Sequence, residues 1–318
     1  MPPVAEPPRG PVFAFPGVVP FPMPPEQRLP PPGSRAWRTL LRCDAVVRRE
    51  AGWSPLAQLA APPPPGVGVP PERCYLLNFA LQVAALAELR EAGLEPRAVA
   101  ALSGGEPAAA HAAGVLSLAD ATRVVLHAGR TLQAHATGLR LAIVWLGRAE
   151  ALRSAALHGG GVAVAGDMLP DVVMVCGEAA PLASFLEALD ARGVRQVPIP
   201  LPFGAHSPAL RAGRRGFLAA VAGIVLREPR LPVLSATAGR WMRLAGEFGP
   251  AHWWRHLAAP VRFRAVVDRL LAGGFGPLVE VGPSSAFSSL VPRSGGACLR
   301  TEEALATFAP RSPGAPSA

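Results

Sequence analysis

Arg97-Ala-Val-Ala-Ala-Leu-Ser-Gly-Gly-Glu-Pro-Ala-Ala-Ala-His-Ala-Ala113 changes periodicity at its centre. Arg97–Leu102 is a short apolar run that reads as a strand, and Pro107–Ala113 reads as a helix. Between them, Ala101-Leu102-Ser103-Gly104-Gly105 is a variant of G-x-S-x-G, a sharp strand-to-helix turn that holds a serine exposed with backbone amides beside it. The dipole and unpaired amides at the start of the following helix favour an oxyanion there. Ala101 in place of the first glycine crowds the elbow and leaves the nucleophile intact. A Ser-Gly-Gly turn taken alone is more often structural than catalytic, so the rest of the chain has to decide.

Outward from this elbow the pattern alternates between strand and helix. Val12–Phe15 reads as a strand ending at Pro16-Gly17, Cys74–Ala92 as a helix, and Leu118–Thr137 as another. Ala142–Leu146, Val162–Ala165 and Val172–Cys176 then read as strands, with helices over Arg148–Leu157 and Ala180–Arg192 and a closing strand over Val197–Leu201. That β-α-β-β-α-β order is ferredoxin-like. Ser207–Val225 and Trp253–Gly273 read as helices and Leu278–Val281 as a last strand. The expected class is α/β: a large subdomain over 11–138 and 202–302 with a small ferredoxin-like subdomain, 139–201, inserted in it. Residues 1–10 and 303–318, rich in proline, alanine and serine, are expected to be disordered tails, and Ala61–Pro71 a surface loop.

Composition narrows the function. The chain has 318 residues, half of them hydrophobic, which is enough for a sizeable core. Four cysteines stand far apart without metal-ligand spacing, so neither a disulfide framework nor a metal is expected. Met1 to Gly17 lacks the basic-then-apolar pattern of a signal peptide, and no run approaches a membrane span, so a cytoplasmic monomer without membrane contact is expected. The net charge of +9 rests wholly on arginine; with one tyrosine and no aromatic-basic interleaving, a nucleic-acid groove is not expected, whereas an acidic protein partner is compatible with that charge.

Further motifs surround the elbow. Ser103-Gly-Gly-Glu106 leads into Ala113-Gly-Val-Leu-Ser-Leu-Ala-Asp-Ala121; Phe13-Ala-Phe-Pro-Gly17, Ala205-His-Ser-Pro208, Trp253-Trp-Arg-His-Leu-Ala-Ala-Pro-Val-Arg-Phe263 and Glu280-Val-Gly-Pro283 complete the set. In this order they resemble the malonyl-CoA:acyl-carrier-protein transacylases and polyketide-synthase acyltransferase domains over about residues 12–295. The resemblance implies an α/β-hydrolase-like large subdomain and a ping-pong reaction. Ser103 would attack an acyl thioester with His206 as base, and a phosphopantetheine thiol of an acyl carrier protein would collect the acyl group. It implies oxyanion donors at the amides of Gly104 and Val18, and a main-chain carbonyl orienting the imidazole, placed by position at His256 or a close neighbour. No permanently bound cofactor is implied, only acyl-CoA or acyl-carrier thioesters as substrates.

The departures bear on substrate. Malonyl-type members pair the substrate carboxylate with an arginine on the helix after the elbow; counted from Ser103, that position is Ala128, and Arg130 lies about 200° around the helix. Removing one half of such a buried pair costs about 3–5 kcal/mol. Gly104 and Ala205 replace larger residues, and with Phe203 they complete the expected pocket. Together these changes describe a divergent, standalone member with a wide neutral pocket for a non-carboxylated acyl group bulkier than malonyl, in polyketide or related specialised metabolism. Ordinary malonyl transfer, thioester hydrolysis by water at the same dyad, and an inactive carrier-binding scaffold remain open at this stage. Arg211–Arg215 is one candidate face for the carrier.

Overall fold

The computed structural model of the protein describes residues 10–21, 29–64 and 67–308. In chain order, β1 (Val12–Phe15) leads to three helices, α1 (Arg35–Ala51), α2 (Pro55–Ala60) and α3 (Pro71–Glu91). The elbow region follows as β2 (Ala98–Ala101), α4 (Glu106–Ala112) and α5 (Leu118–His135). The chain then builds β3 (Leu139–Val144), α6 (Arg148–Leu157), β4 (Val162–Leu169), β5 (Val172–Glu178), α7 (Ala179–Asp190) and β6 (Gln196–Ile199). It returns through α8 (Arg214–Val221), β7 (Val233–Ser235), β8 (Arg240–Met242), α9 (Pro250–Ala258), β9 (Val261–Arg262) and α10 (Phe263–Ala272). The described chain ends with β10 (Leu278–Glu280), α11 (Ala286–Leu290), β11 (Cys298–Arg300) and α12 (Thr301–Phe308).

Two sheets result. The larger has the order β11-β10-β1-β2-β7-β8, parallel except for the β7–β8 hairpin. All residues of β1 and β2 are buried, as expected for parallel strands covered on both faces. The smaller sheet has the order β6-β3-β5-β4, antiparallel, with α6 and α7 on one face, which is the ferredoxin-like arrangement. The period-2 alternation of its strands divides the work. Val173 and Val175 of β5 face α6 and α7, while Val172, Met174 and Cys176 join the core of the large unit.

The structure changes several expectations. A fifth strand, β9, comes from outside residues 139–201 and pairs in parallel with β4 through Gly166–Val261 and Asp167–Arg262. The tail expected over 303–318 does not begin at 303, because Thr301–Phe308 form α12 with Ala304 fully buried. Of the expected N-terminal tail, Gly10 bridges Gly276, and residues 1–9 and 309–318 lie outside the described residues. The helix expected over Trp253–Gly273 is two helices. Pro260 has no N–H to continue α9 and forces Ala259 out of helical backbone, at φ −91° and ψ 149°. Ser207–Val225 likewise divides into a 3-10 turn, Pro208–Gly213, and the shorter α8. Helix α1, passed over in the sequence, is capped by Ser34, whose hydroxyl accepts from the Trp37 amide, and closed by Gly52 in the left-handed region.

Candidate active site

Ser103 stands at the end of β2 with φ 48°, a left-handed conformation that costs a non-glycine residue about 1–3 kcal/mol. The elbow fits because its neighbours are small: a Cβ on Gly105 would lie 2.1 Å from the Phe15 carbonyl oxygen. His206 also has positive φ, 57°, and its Nε2 lies 2.7 Å from Ser103 Oγ. The end of α9 grips this histidine twice. Its backbone N–H donates to the Leu257 carbonyl at 2.7 Å, and its Nδ1 lies 3.1 Å from the Ala259 carbonyl oxygen. Since a carbonyl can only accept, Nδ1 carries the proton and Nε2 accepts from the Ser103 hydroxyl. Burial lowers the His206 pKa to about 4, so the imidazole is neutral and able to take a proton at pH 7.

The orienting carbonyl is therefore Ala259, not His256. The Pro260 break turns the Ala259 carbonyl, three residues past His256, out of the helix and onto the imidazole. The His256 side chain has a separate partner. Its Nε2 lies 2.5 Å from the Tyr75 hydroxyl, with burial holding its own pKa down at about 3.

Gly104 and Val18 lie against each other, since a Cβ on Gly104 would sit 3.3 Å from Val18 N and 2.5 Å from Val18 Cγ2. Among the described residues the Val18 amide donates to no protein acceptor. The loop carrying it is fixed by two residues that sequence reasoning missed. Asn78 on α3 accepts from the Val19 amide at 3.0 Å and donates to the Val19 carbonyl at 2.9 Å, and Gln82 donates to the Pro16 carbonyl at 2.7 Å. Buried amides inside an otherwise apolar helix are the signal that could have found them.

Beneath the elbow Glu106 is fully buried and accepts from the Ser235 hydroxyl at 2.8 Å and the Thr237 amide at 2.9 Å. Burial works against its charge, but His252 at 3.4 Å and the Thr237 amide outweigh it and hold the carboxyl below its ordinary range. Glu280 accepts from the Phe287 and Ser288 amides and so fixes the start of α11.

The pair opens onto a cavity of about 330 Å3 lying between the two sheets. Leu141, Ile143, Met168, Met174 and Ile199 of the small sheet form one wall; Leu201, Phe203, Ala205 and Tyr75 another; Ser284 to Ala286 with Ser289 and Leu290 the third. Among the described residues no arginine, aspartate or glutamate lines it. Of the expected pocket residues, Phe203 and Ala205 line it, and Gly104 and Ala128 do not; Val18, expected only as an oxyanion donor, lines it as well. Ala128 is wholly buried on α5 beside Gly129, whose Cα face abuts the Glu72 backbone at the start of α3. Gly104 adds no room, because Val18 Cγ2 and the Tyr75 ring fill the space a side chain would use. Arg130 turns outward to Glu72 at 3.5 Å and to the Glu50 carbonyl. Among the described residues no helix is long and apolar enough to cross a membrane, and no cluster of side chains could hold a metal ion.

Comparison with known proteins agrees with this geometry. The model of the acyl transferase domain family matches residues 33–307. Polyketide synthase GfsB of Streptomyces halstedii is 34% identical over 219 residues, and erythronolide synthase EryA3 of Saccharopolyspora erythraea is 32% identical over 230. These matches take in 67% and 70% of this chain but 4% and 7% of those much longer proteins. Among solved structures, a loading acyltransferase from the avermectin modular polyketide synthase superposes with a TM-score of 0.83 at 28% identity, covering 92% of this chain and 93% of that one. The malonyl-CoA:acyl carrier protein transacylase of Xanthomonas oryzae shares the fold, with a TM-score of 0.80 at 24% identity over 95% and 98% of the two chains. An elbow serine paired with a buried histidine across two sheets, within this match, places the chain in the acyl transferase domain family.

Proposed function

We propose that the protein is an acyltransferase that carries a non-carboxylated acyl group, bulkier than malonyl, as a Ser103 ester and delivers it to the phosphopantetheine thiol of an acyl carrier protein. One observation carries this: the Ser103–His206 pair opens into a cavity of about 330 Å3 walled by apolar side chains and hydroxyls, with no arginine among the described residues to meet a carboxylate. In such a cavity a free carboxylate is left without the pairing that would offset its desolvation. The fold shared with a loading acyltransferase supports the same reading.

The steps balance within the chain's own groups. Ser103 Oγ forms a bond to the thioester carbonyl carbon as its proton passes to His206 Nε2, and the Gly104 and Val18 amides receive the oxyanion. Collapse breaks the C–S bond, and the imidazolium returns the proton to the departing thiol. A second thiol then gives its proton to His206, attacks the ester and leaves with the acyl group, restoring the Ser103 hydroxyl. Arg211, Arg214 and Arg215 lie exposed on the segment that follows His206 and offer an acidic carrier a face.

Intact-mass measurement with a panel of acyl thioesters tests the proposal. A covalent adduct is expected with neutral branched or medium-length acyl groups, absent in Ser103→Ala, with malonyl among the poorest donors. Malonyl as the best donor overturns the substrate reading, and free acid in place of acyl-carrier product assigns hydrolysis instead.

A further inference from the structure

A second large concavity lies at the other end of the main sheet. The elbow is at the C-terminal edge of β2; α4 runs back from it, so that Gly114 and Leu116 reach the N-terminal edge, where Pro96 precedes β2 and Leu231 precedes β7. Backbone bonds from Arg230 to Ala113 (2.7 Å) and from Arg227 to Val115 (3.0 Å) lock the segment before β7 onto the α4–α5 turn. Gly114, at φ +83°, is where the Arg230 stem crosses that turn. With the facing sides of α1 and α3, these segments enclose a groove of about 810 Å3, which shares no residue with the active-site cavity. The seven residue steps from Pro96 through β2 to Ser103 put roughly 20 Å between the two.

Five arginines line this groove, Arg35, Arg42, Arg90, Arg227 and Arg230, against one carboxylate, Glu95. Arg90 is engaged by Glu95 at 3.2 Å and by the Ala112 carbonyl. Among the described residues, the guanidinium groups of the other four have no carboxylate oxygen within 4 Å, and all four residues are exposed. Glu91, nearby, is taken by the Arg35 backbone amide. The floor is aliphatic, with Leu86 and Leu118 among its residues, and among the described residues no phenylalanine, tyrosine or tryptophan lines it. His111 lies among these cations; burial lowers its pKa, partly offset by its bond to the Leu116 carbonyl, and Arg90 and Arg42 lower it further.

We infer that this groove docks an acidic, amphipathic segment of a partner protein, its carboxylates meeting Arg35, Arg42, Arg227 and Arg230 and its apolar side chains the aliphatic floor. Unpaired guanidiniums at a groove rim select carboxylates. The aliphatic floor and, among the described residues, the lack of any phenylalanine, tyrosine or tryptophan favour a protein segment over a nucleic acid. A second copy of this chain, carrying the same positive balance, is a poor fit. Lying at the opposite edge from Ser103, the segment holds the domain in place without obstructing acyl transfer, so the inference stands apart from the substrate reading.

Fluorescence anisotropy tests it, using a short labelled peptide with leucines at helical spacing and glutamates between them. Saturable binding is expected, weaker by about tenfold or more for the glutamine counterpart, and falling as ionic strength rises. Arg42→Glu with Arg227→Glu should weaken it about tenfold or more, while the rate of Ser103 acylation stays at the wild-type value. Should that variant fail to fold, Arg42→Gln with Arg227→Gln gives the same comparison. Reversal of Arg211, Arg214 and Arg215 should leave peptide binding unchanged. Equal binding by wild-type and groove variants, loss only in the Arg211–Arg215 variant, or tighter binding of a single-stranded oligonucleotide at the same arginines each overturns the inference.

Discussion

His206 accepts a proton only while its ring is neutral, and burial holds its pKa at about 4. Acylation is therefore expected to be independent of pH from about 5 to 8 and to fall only as the pH approaches the histidine's own lowered value. Single-turnover acylation against pH checks this; an inflection near 6.5 shows a solvated imidazole instead. His206→Ala should slow acylation by about two to four orders of magnitude, the usual contribution of a positioned base. The Ser103–Gly104–Val18 contact allows a more discriminating test. A methyl on Gly104 meets the Val18 side chain at 2.5 Å, whereas on Gly105 it meets main chain, Phe15 O at 2.1 Å. Gly104→Ala should slow acylation and Val18→Ala should restore much of it, because the backbone amide at 18 survives that change; Gly105→Ala should have no such rescue. Kinetics of the two single variants and the double variant measure the coupling.

At the scale of elements, α3 does more than cover the sheet. Asn78 and Gln82, one turn apart on the buried side of α3, hold the loop that bears the Val18 amide. Asn78→Ala leaves the Val19 amide without its acceptor and the Val19 carbonyl with only the weak Cys74 thiol donor, and should cost about 1–3 kcal/mol of stability in a denaturant titration, together with a loss of acylation rate. The helix was legible in the sequence from its apolar spacing, but the duty of its polar residues was not, because they act on a loop some sixty positions away. The elbow and the order of the ferredoxin-like strands could be read because they depend on local chemistry: a Ser-Gly-Gly turn and a switch from one hydrophobic period to another. Ala259 could not be singled out by counting, since its role depends on where Pro260 breaks the helix in space. Gly104 misled for a related reason. A small residue reads as added room, and only coordinates show that Val18 and Tyr75 have filled it.

Across the whole molecule the acid sensitivity should be uneven. His206 and His256 are buried with pKa values lowered to about 4 and about 3, while in the unfolded chain both titrate near their ordinary value of about 6.5. Below that value the unfolded state binds more protons than the native state, so stability is fully present above pH 6.5 and declines as the pH falls toward 4. Thermal melting between pH 7 and 4.5 should show this slope, reduced in His256→Asn; equal slopes would locate the sensitivity elsewhere. A last consequence concerns β9. The residues that hold the imidazole, up to Ala259, run directly into Val261 and Arg262, which are laced to β4 of the smaller sheet. Swinging that sheet outward to admit a larger guest would tug the base from its serine. Adaptation to guests of different size is therefore left to pliable linings such as Met168 and Met174, and this catalyst should tolerate variety in shape far better than variety in length.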